Sequence, residues 1–254
     1  MQNNHFKIIV PFYNVEEWIR ITLRSVQLQD YENFECILID DVSTDNSRNI
    51  AQELVGNDKR FKIIENKTKK YVLKNVCNAI ELSNPDREDV VVILDGDDWF
   101  AGGNVLSTLN ETYNKEKCWL TYGSYMEYPS RMKGKFAQKI PEEIISRNLF
   151  RESPWMTSHL RSWKYGLWEH VDQKRSFIEP DPIDNNNHFS FCWDLAYMFP
   201  LLELAGNKVH YIPDVLYVYN RQNPLNVDKI EHQTQLKMEQ KIRNMEKYNS
   251  LEKI

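Results

Sequence analysis

Acidic side chains stand where two buried strands are expected to end. Residues 90–94 are the longest aliphatic run in the chain and lead straight into Asp95-Gly96-Asp97-Asp98, while residues 35–40 (ECILID) lead into Asp40-Asp41. In an open α/β sheet, ligands sit outside the carboxyl ends of the strands, so parallel strands would bring both clusters to one crevice. Two carboxylates about 4 Å apart repel by roughly 4 kcal/mol at an effective dielectric of 20. A fold gains no stability from that repulsion, so either one acid is protonated or a cation accompanies them. A hard divalent ion suits the donors, because magnesium takes one or two carboxylates and fills its other positions with water and substrate phosphates. Gly96 omits a side chain where a ligand would approach closely. The structural alternative is that Asp97 or Asp98 caps the next helix and Asp95 only ends a strand.

Other ways of holding a phosphate or a metal are excluded by what is missing. With 8 glycines the chain has no G-x-G-x-x-G, and Gly134-Lys135 is followed by Phe136 rather than Ser or Thr, so dinucleotide-binding and P-loop readings fail. The six histidines form no H-E-x-x-H pair, which removes the zinc hydrolases. A metal-bridged diphosphate at an acidic strand end remains.

The elements that must position these acids alternate through the first half. Residues 6–10 read as a buried strand stopping at Pro11. Val15, Trp18, Ile19, Leu23 and Val26 lie at helical spacing. After the strand at 35–40, a short helix runs to Leu54 with Asp45 or Ser47 as its cap. A strand at 62–65, a helix over Tyr71–Leu82 and the strand at 90–94 follow; the last, apolar on both faces, suits the middle of a parallel sheet. A helix carrying Val105, Leu106, Leu109 and Tyr113 and a strand at 119–122 complete the series. This order predicts an α/β fold with a doubly wound, mostly parallel sheet. Beyond about Tyr125 the pattern loosens: a polar turn at 134–138, a helix at 141–149 with Pro141 in its first turn, and a loop at 175–188. The spacing predicts a helix over Trp193–Ala205, bent at Pro200 and ended by Gly206. Two strands, 209–212 and 215–219, then flank Pro213-Asp214, and a charged surface helix begins at Asp228. The expected organisation is an α/β half at 1–124, a looser half of the same domain at 125–227 and a C-terminal charged helix at 228–254.

Composition narrows the setting. The 254 residues hold 32 Lys and Arg against 37 Asp and Glu, for a net charge of −5, which disfavours nucleic acid or an anionic membrane as the main partner. No apolar run approaches the roughly 20 residues of a membrane span. The polar, uncharged start lacks the features of a signal peptide. Cys36, Cys77, Cys118 and Cys192 are widely spaced, unlike a disulfide scaffold or zinc knuckle. A soluble, cytoplasmic protein is expected.

Val10-Pro11-Phe12-Tyr13-Asn14, followed by Ile39-Asp40-Asp41-Val42-Ser43-Thr44-Asp45, resembles the opening of the family 2 glycosyltransferases of GT-A fold. Leu94-Asp95-Gly96-Asp97-Asp98-Trp99 is similar to their DxD motif, and Trp193-Asp194 opens a helix where that family has an aspartate. Segments around Ser158-His159-Leu160-Arg161, 193–200 and 219–226 are similar to a subgroup of large viruses and some bacteria. The resemblance implies an inverting enzyme that moves a sugar from a nucleotide diphosphate, a UDP-sugar being the commoner case, to a hydroxyl of a glycan or other acceptor. It places Pro11, Tyr13 and Asp41 around base and ribose, and Asp95 at the ribose or a metal-bound water. Asp97, with Asp95, would hold Mn²⁺ or Mg²⁺, and Asp194 would be the catalytic base. Lys69, Lys70 and Lys74 fall where basic residues approach the nucleotide, Lys74 being the candidate ligand. Two positions depart from the pattern: Trp193 stands in place of a Glu, and Tyr219-Asn220-Arg221-Gln222 replaces Tyr-Arg-x-His, which removes a histidine contact.

Displacement at the anomeric carbon would draw on a Lewis-acidic cation at the leaving diphosphate, alignment of donor and acceptor and removal of the acceptor proton by a carboxylate, a contribution of about 10²–10⁴-fold. Asp194 suits the last role at a helix start, where partial positive charge keeps it ionised; a plain helix cap would look the same. His159 and Arg161 would steady acceptor or phosphates, or form a structural pair. Trp155, Trp163 and Trp168 would stack on sugar faces or pack in the core, and Arg221 would close over the diphosphate. Two other functions share these features. A sugar-phosphate nucleotidyltransferase typically has a Gly-rich basic loop after the first strand, which residues 11–14 lack. A glycan- or nucleotide-binding module of the same fold would not turn over.

Overall fold

A computed structural model describes residues 2–177, 188–225 and 232–254. In chain order the described elements are β1 (Phe6–Phe12), α1 (Ile19–Gln27), β2 (Phe34–Asp40), α2 (Ser47–Val55), β3 (Phe61–Glu65), α3 (Tyr71–Leu82), β4 (Val90–Ile93), β5 (Trp99–Phe100) and α4 (Val105–Glu116). These are followed by β6 (Leu120–Tyr128), α5 (Glu142–Ser146), β7 (Arg161–Lys164), α6 (Tyr165–Trp168), α7 (Gln173–Phe177), α8 (Trp193–Ala205), β8 (Val209–Asn220) and α9 (His232–Arg243). The strands form one sheet in the order β3-β2-β1-β4-β7-β6-β8-β5. The alternation of apolar side chains decides which face each helix covers. Ile9, Ile37, Ile39, Val91 and Ile93 pack with α3 and α8, while Ile8, Val10, Leu38, Val90 and Val92 pack with α1, α2 and α4. The result is the α/β fold expected from the sequence, its mostly parallel sheet mixed by antiparallel pairs at β7 and β5.

Several local expectations are corrected. β1 does not stop at Pro11 but runs to Phe12. Its pairing with β4 ends at Ile9, whereas pairing with β2 continues to Phe12. The missing proline N–H therefore falls where no β4 strand remains to receive it, and the Pro11 carbonyl accepts from Gly96 N–H at 3.2 Å. β4 is not inside a parallel sheet: it is parallel to β1 and antiparallel to β7. The two strands expected around Pro213-Asp214 are one strand, β8, whose register against β6 jumps from Ile212 to Val215, a bulge that absorbs the proline. α1 begins at Ile19, with Val15 and Trp18 in the turn before it. Asn46, rather than Asp45 or Ser47, is the residue preceding α2, although the Asp45 carboxylate takes the Ser47 N–H. Pro141 precedes α5 instead of lying in its first turn, and α5 ends at Ser146. Of the loop expected at 175–188, residues 175–177 lie in α7 and 178–187 fall outside the described residues.

The C-terminal segment is more than a surface helix. Its first expected residues, 228–231, are outside the described set, but Ile242 in α9 is fully buried and Met245, Tyr248, Leu251 and Ile254 pack on the core. The anchor is polar: Arg151 and Glu203, 3% and 0% exposed, form a double hydrogen bond of 2.5 and 3.0 Å. Arg151 also reaches the Ile242 carbonyl, and Glu203 takes the Tyr248 N–H. Among the described residues, no helix is long and apolar enough to cross a membrane.

Candidate active site

A cleft of about 450 Å³ opens at the carboxyl ends of β1, β2 and β4 and is closed on the far side by the start of α8. Asp41 sets one wall. Leaving β2, its buried carboxylate accepts N–H bonds from Lys70 and Tyr71 at 2.8 and 2.9 Å, holding the start of α3, and a third from Asn66 Nδ2 at 2.8 Å. Pro11 and Tyr13 line the same wall, with the Lys69 ammonium 2.8 Å from the Tyr13 ring centroid. Burial lowers the Lys69 pKa against the pull of Asp41. Lys74 is not brought to the cleft: it lies one turn into α3, and Asn75 lines the wall instead.

Gly96 permits the tight approach of the acid turn to β1. A Cβ there would stand 2.4 Å from Phe12 Cβ and 3.0 Å from the Pro11 carbonyl oxygen, so the close neighbour is the chain itself rather than a ligand. The four residues of the turn have separate surroundings. Asp98 is buried; it accepts from Tyr217 Oη at 2.6 Å and from Asn220 N–H at 2.7 Å, which ties the turn to β8. Asp95 N–H donates to Tyr217 Oη at 3.2 Å. Asp97 faces the cleft, with one oxygen 2.6 Å from Asn223 Nδ2. Burial first, and Asp97 second, push the Asp95 carboxyl up to about 7. Burial and the charges of Asp97 and Asp95 likewise raise Asp98 well above the ordinary range.

These donors fit a hard divalent cation. Three carboxyls crowd one turn, burial and their mutual repulsion raise the pKa of two of them, and oxygen ligands suit Mg²⁺ or Mn²⁺. Asp95, Asp98 and His159 each offer a ligand atom, all within 4.8 Å of one another. Asp95, Asp97 and Asp98 all line the cleft, and Asp98 in addition serves β8 with both oxygens. The His159 ring stacks on Tyr217 and Tyr219, with centroids 4.5 and 5.3 Å away, and burial followed by the nearby Arg161 charge drives its pKa well down.

On the opposite wall, Arg161 begins β7 across from Ile93, and its guanidinium donates to Asp194 Oδ2 at 2.9 Å and to Tyr197 Oη at 3.2 Å. Asp194 lies in the first turn of α8, and its other oxygen accepts the Leu195 N–H. Trp193 lines the cleft, 5.9 Å from the Arg161 guanidinium. Trp163 and Trp168 are core residues, 0% and 3% exposed and stacked on each other, and Trp155 packs beside Phe199. None of the three lines the cleft. Arg221 is outside the lining too, its N–H on the Tyr128 carbonyl and its guanidinium over Tyr219. Sequence reasoning missed Tyr217, Asn223 and Tyr197, although the alternation of Tyr217 and Tyr219 along a strand signals one shared face.

Residues 7–173 match the model of Glycosyl transferase family 2. The chain belongs to that family. Glycosyltransferase GlyG of Streptococcus pneumoniae is 24% identical over 220 residues, 85% of this chain and 70% of GlyG. Glycosyltransferase GlyA of the same organism is 30% identical over 218 residues, 84% of this chain but only 30% of GlyA. Among solved structures, S. aureus TarS 1-349 in complex with UDP-GlcNAc superposes with a TM-score of 0.64 at 19% identity, covering 86% of this chain and 59% of that one. Mannosyltransferase PcManGT from Pyrobaculum calidifontis, solved with GDP-Man and Mn²⁺, gives 0.58 at 18%, covering 86% and 57%. The chain thus spans less than two thirds of GlyA and of both solved chains. Its fold is the GT-A fold.

Proposed function

We propose that this glycosyltransferase is metal-dependent and inverting, and that it transfers a sugar from a UDP-sugar to a hydroxyl of a glycan or other acceptor. The observation that carries the reading is the facing of two carboxylate groups across one cleft: Asp95 and Asp97 after β4, and Asp194 at the start of α8. A bound Mn²⁺ or Mg²⁺ would neutralise charge on the leaving diphosphate. Asp97 and Asp95 would hold it, while Pro11, Tyr13 and Asp41 shape the wall that receives base and ribose. Asp194 takes the acceptor O–H proton as that oxygen bonds to the anomeric carbon. The bond from that carbon to the diphosphate oxygen breaks, and its electron pair leaves with the nucleoside diphosphate. Attack from the face opposite the leaving group inverts the centre. Four buried free thiols suit a reducing, cytoplasmic setting.

The test is release of nucleoside diphosphate from a panel of donors and sugar acceptors with Mn²⁺, repeated with EDTA. Release with Mn²⁺ that EDTA abolishes and Asp194→Asn lowers by about 10²-fold or more supports the proposal. Turnover unaffected by EDTA refutes the metal dependence, and donor binding without turnover across the panel favours a non-catalytic module.

A further inference from the structure

Arg161 is a buried charge on the α8 side of the cleft, near both Asp194 and Asp95, and its contacts assign it a task. Its side chain is 3% exposed, yet each arm of the fork is used: one terminal nitrogen on Asp194 Oδ2 at 2.9 Å, the other on Tyr197 Oη at 3.2 Å, and Nε on the Thr157 carbonyl at 3.3 Å. Burial opposes the charge, but Tyr197, Asp194 and Asp95 around it more than compensate. β7 fixes where it starts, since Arg161 pairs with Ile93 on one side and Tyr122 on the other. The guanidinium is therefore anchored by the sheet and by α8 at once, with its donors directed at protein atoms.

Resting on the reading of Asp194 as the base, we propose that Arg161 is a positioning residue for it, acting through Tyr197 and Asp194 rather than on substrate. A carboxylate side chain at the start of a helix swings about two torsions. One arm of the fork on Oδ2, its other arm held by Tyr197, together with the Leu195 N–H on Oδ1 at 3.0 Å, stops that motion and presents the carboxylate to the acceptor hydroxyl. Planar, two-armed donation is a property of arginine that a lysine point charge does not reproduce. Misplacement of a reacting group by about 1 Å costs on the order of 10²-fold in rate.

The experiment is a double-mutant cycle on kcat with Arg161→Met, Asp194→Asn and both together, with donor and acceptor KM measured for each. Tyr197→Phe and Arg161→Lys serve as milder variants in case Arg161→Met does not fold. Expected are a kcat about 10–10²-fold lower for Arg161→Met, KM values within about threefold, an intermediate loss for Arg161→Lys and Tyr197→Phe, and a double mutant no slower than Asp194→Asn alone. Additive losses in the double mutant, a rise confined to KM, or full activity in Arg161→Lys would overturn the positioning role. Wild-type activity in Asp194→Asn would instead remove the base assignment, so the two failures are told apart.

Discussion

Gly96→Ala tests how the acid turn is held, and its effect follows from distances. The new methyl would lie 2.4 Å from Phe12 Cβ, 3.0 Å from the Pro11 oxygen and 3.1 Å from Phe12 Cα. Comfortable carbon contacts begin near 3.5 Å, so the overlap with Phe12 is about 1 Å, and none of the three atoms is the end of a flexible side chain. The turn cannot easily retreat, because Gly96 N–H is bonded to Pro11 and its carbonyl takes the Thr22 hydroxyl at 3.0 Å. Overpacking of this kind costs about 1–3 kcal/mol, a fall in Tm of a few degrees for a chain of this size. The turn also carries Asp95 and Asp97 on either side, so a shift of about 1 Å should cost on the order of 10²-fold in kcat. Thermal melting and nucleoside diphosphate release, measured on the same preparation, check both numbers. Wild-type turnover, whether or not Tm falls, would show that the close approach of the turn to β1 does not set the acid positions.

Asp41→Asn places an amide NH₂ among three N–H donors; it should destabilise by about 1–3 kcal/mol and weaken nucleotide binding, and calorimetry showing unchanged affinity would count against the wall assigned to Asp41. Glu203→Gln leaves the buried Arg151 without its charge partner, which costs about 3–5 kcal/mol, or roughly 10 °C in Tm; a shift below a few degrees would contradict the anchoring of the C-terminal segment. In chelator, stability should fall as pH rises from 6.5 to 8. Asp95, raised in the fold to about 7 mainly by burial, contributes stability present below its unfolded pKa near 4 and lost as pH climbs through 7. His159, shifted the opposite way, loses stability only as pH falls below about 6.5. A melting temperature flat or rising across that window, with and without Mn²⁺, would refute the crowding of the acids.

What was legible in the sequence is local. Residues 71–82 and 193–205 read as helices from periodicity and from Gly206, which ends the second with φ +51°. The acids at the ends of β2 and β4 were legible because strand ends are positions that apolar runs mark. What pairs across the sheet was not. β5, two residues long, is held by pairing Trp99 and Phe100 with Val218 and Tyr217 in β8, a partnership no local pattern announces. The same distance in sequence hid the bond from Tyr217 to Asp98 and that from Asn223 to Asp97. Trp163 and Trp168, read as sugar platforms or core, resolve to core because β7, which carries Trp163, lies between β4 and β6, and α6 stacks Trp168 on Trp163 beside Tyr197 of α8. Lys74 stays off the cleft, whereas Lys69, just before the turn at Tyr71 with φ +60°, stands over the Tyr13 ring.

The most direct measurement is Mn²⁺ binding in the presence of a uridine diphosphate, followed by electron paramagnetic resonance for wild type and Asp97→Asn. One tightly held ion per chain in the wild-type ternary mixture, lost in the variant while the protein melts normally, is the expected result. An equal ion count in both proteins, or none in either, would contradict a cation held on the Asp95–Asp97 turn.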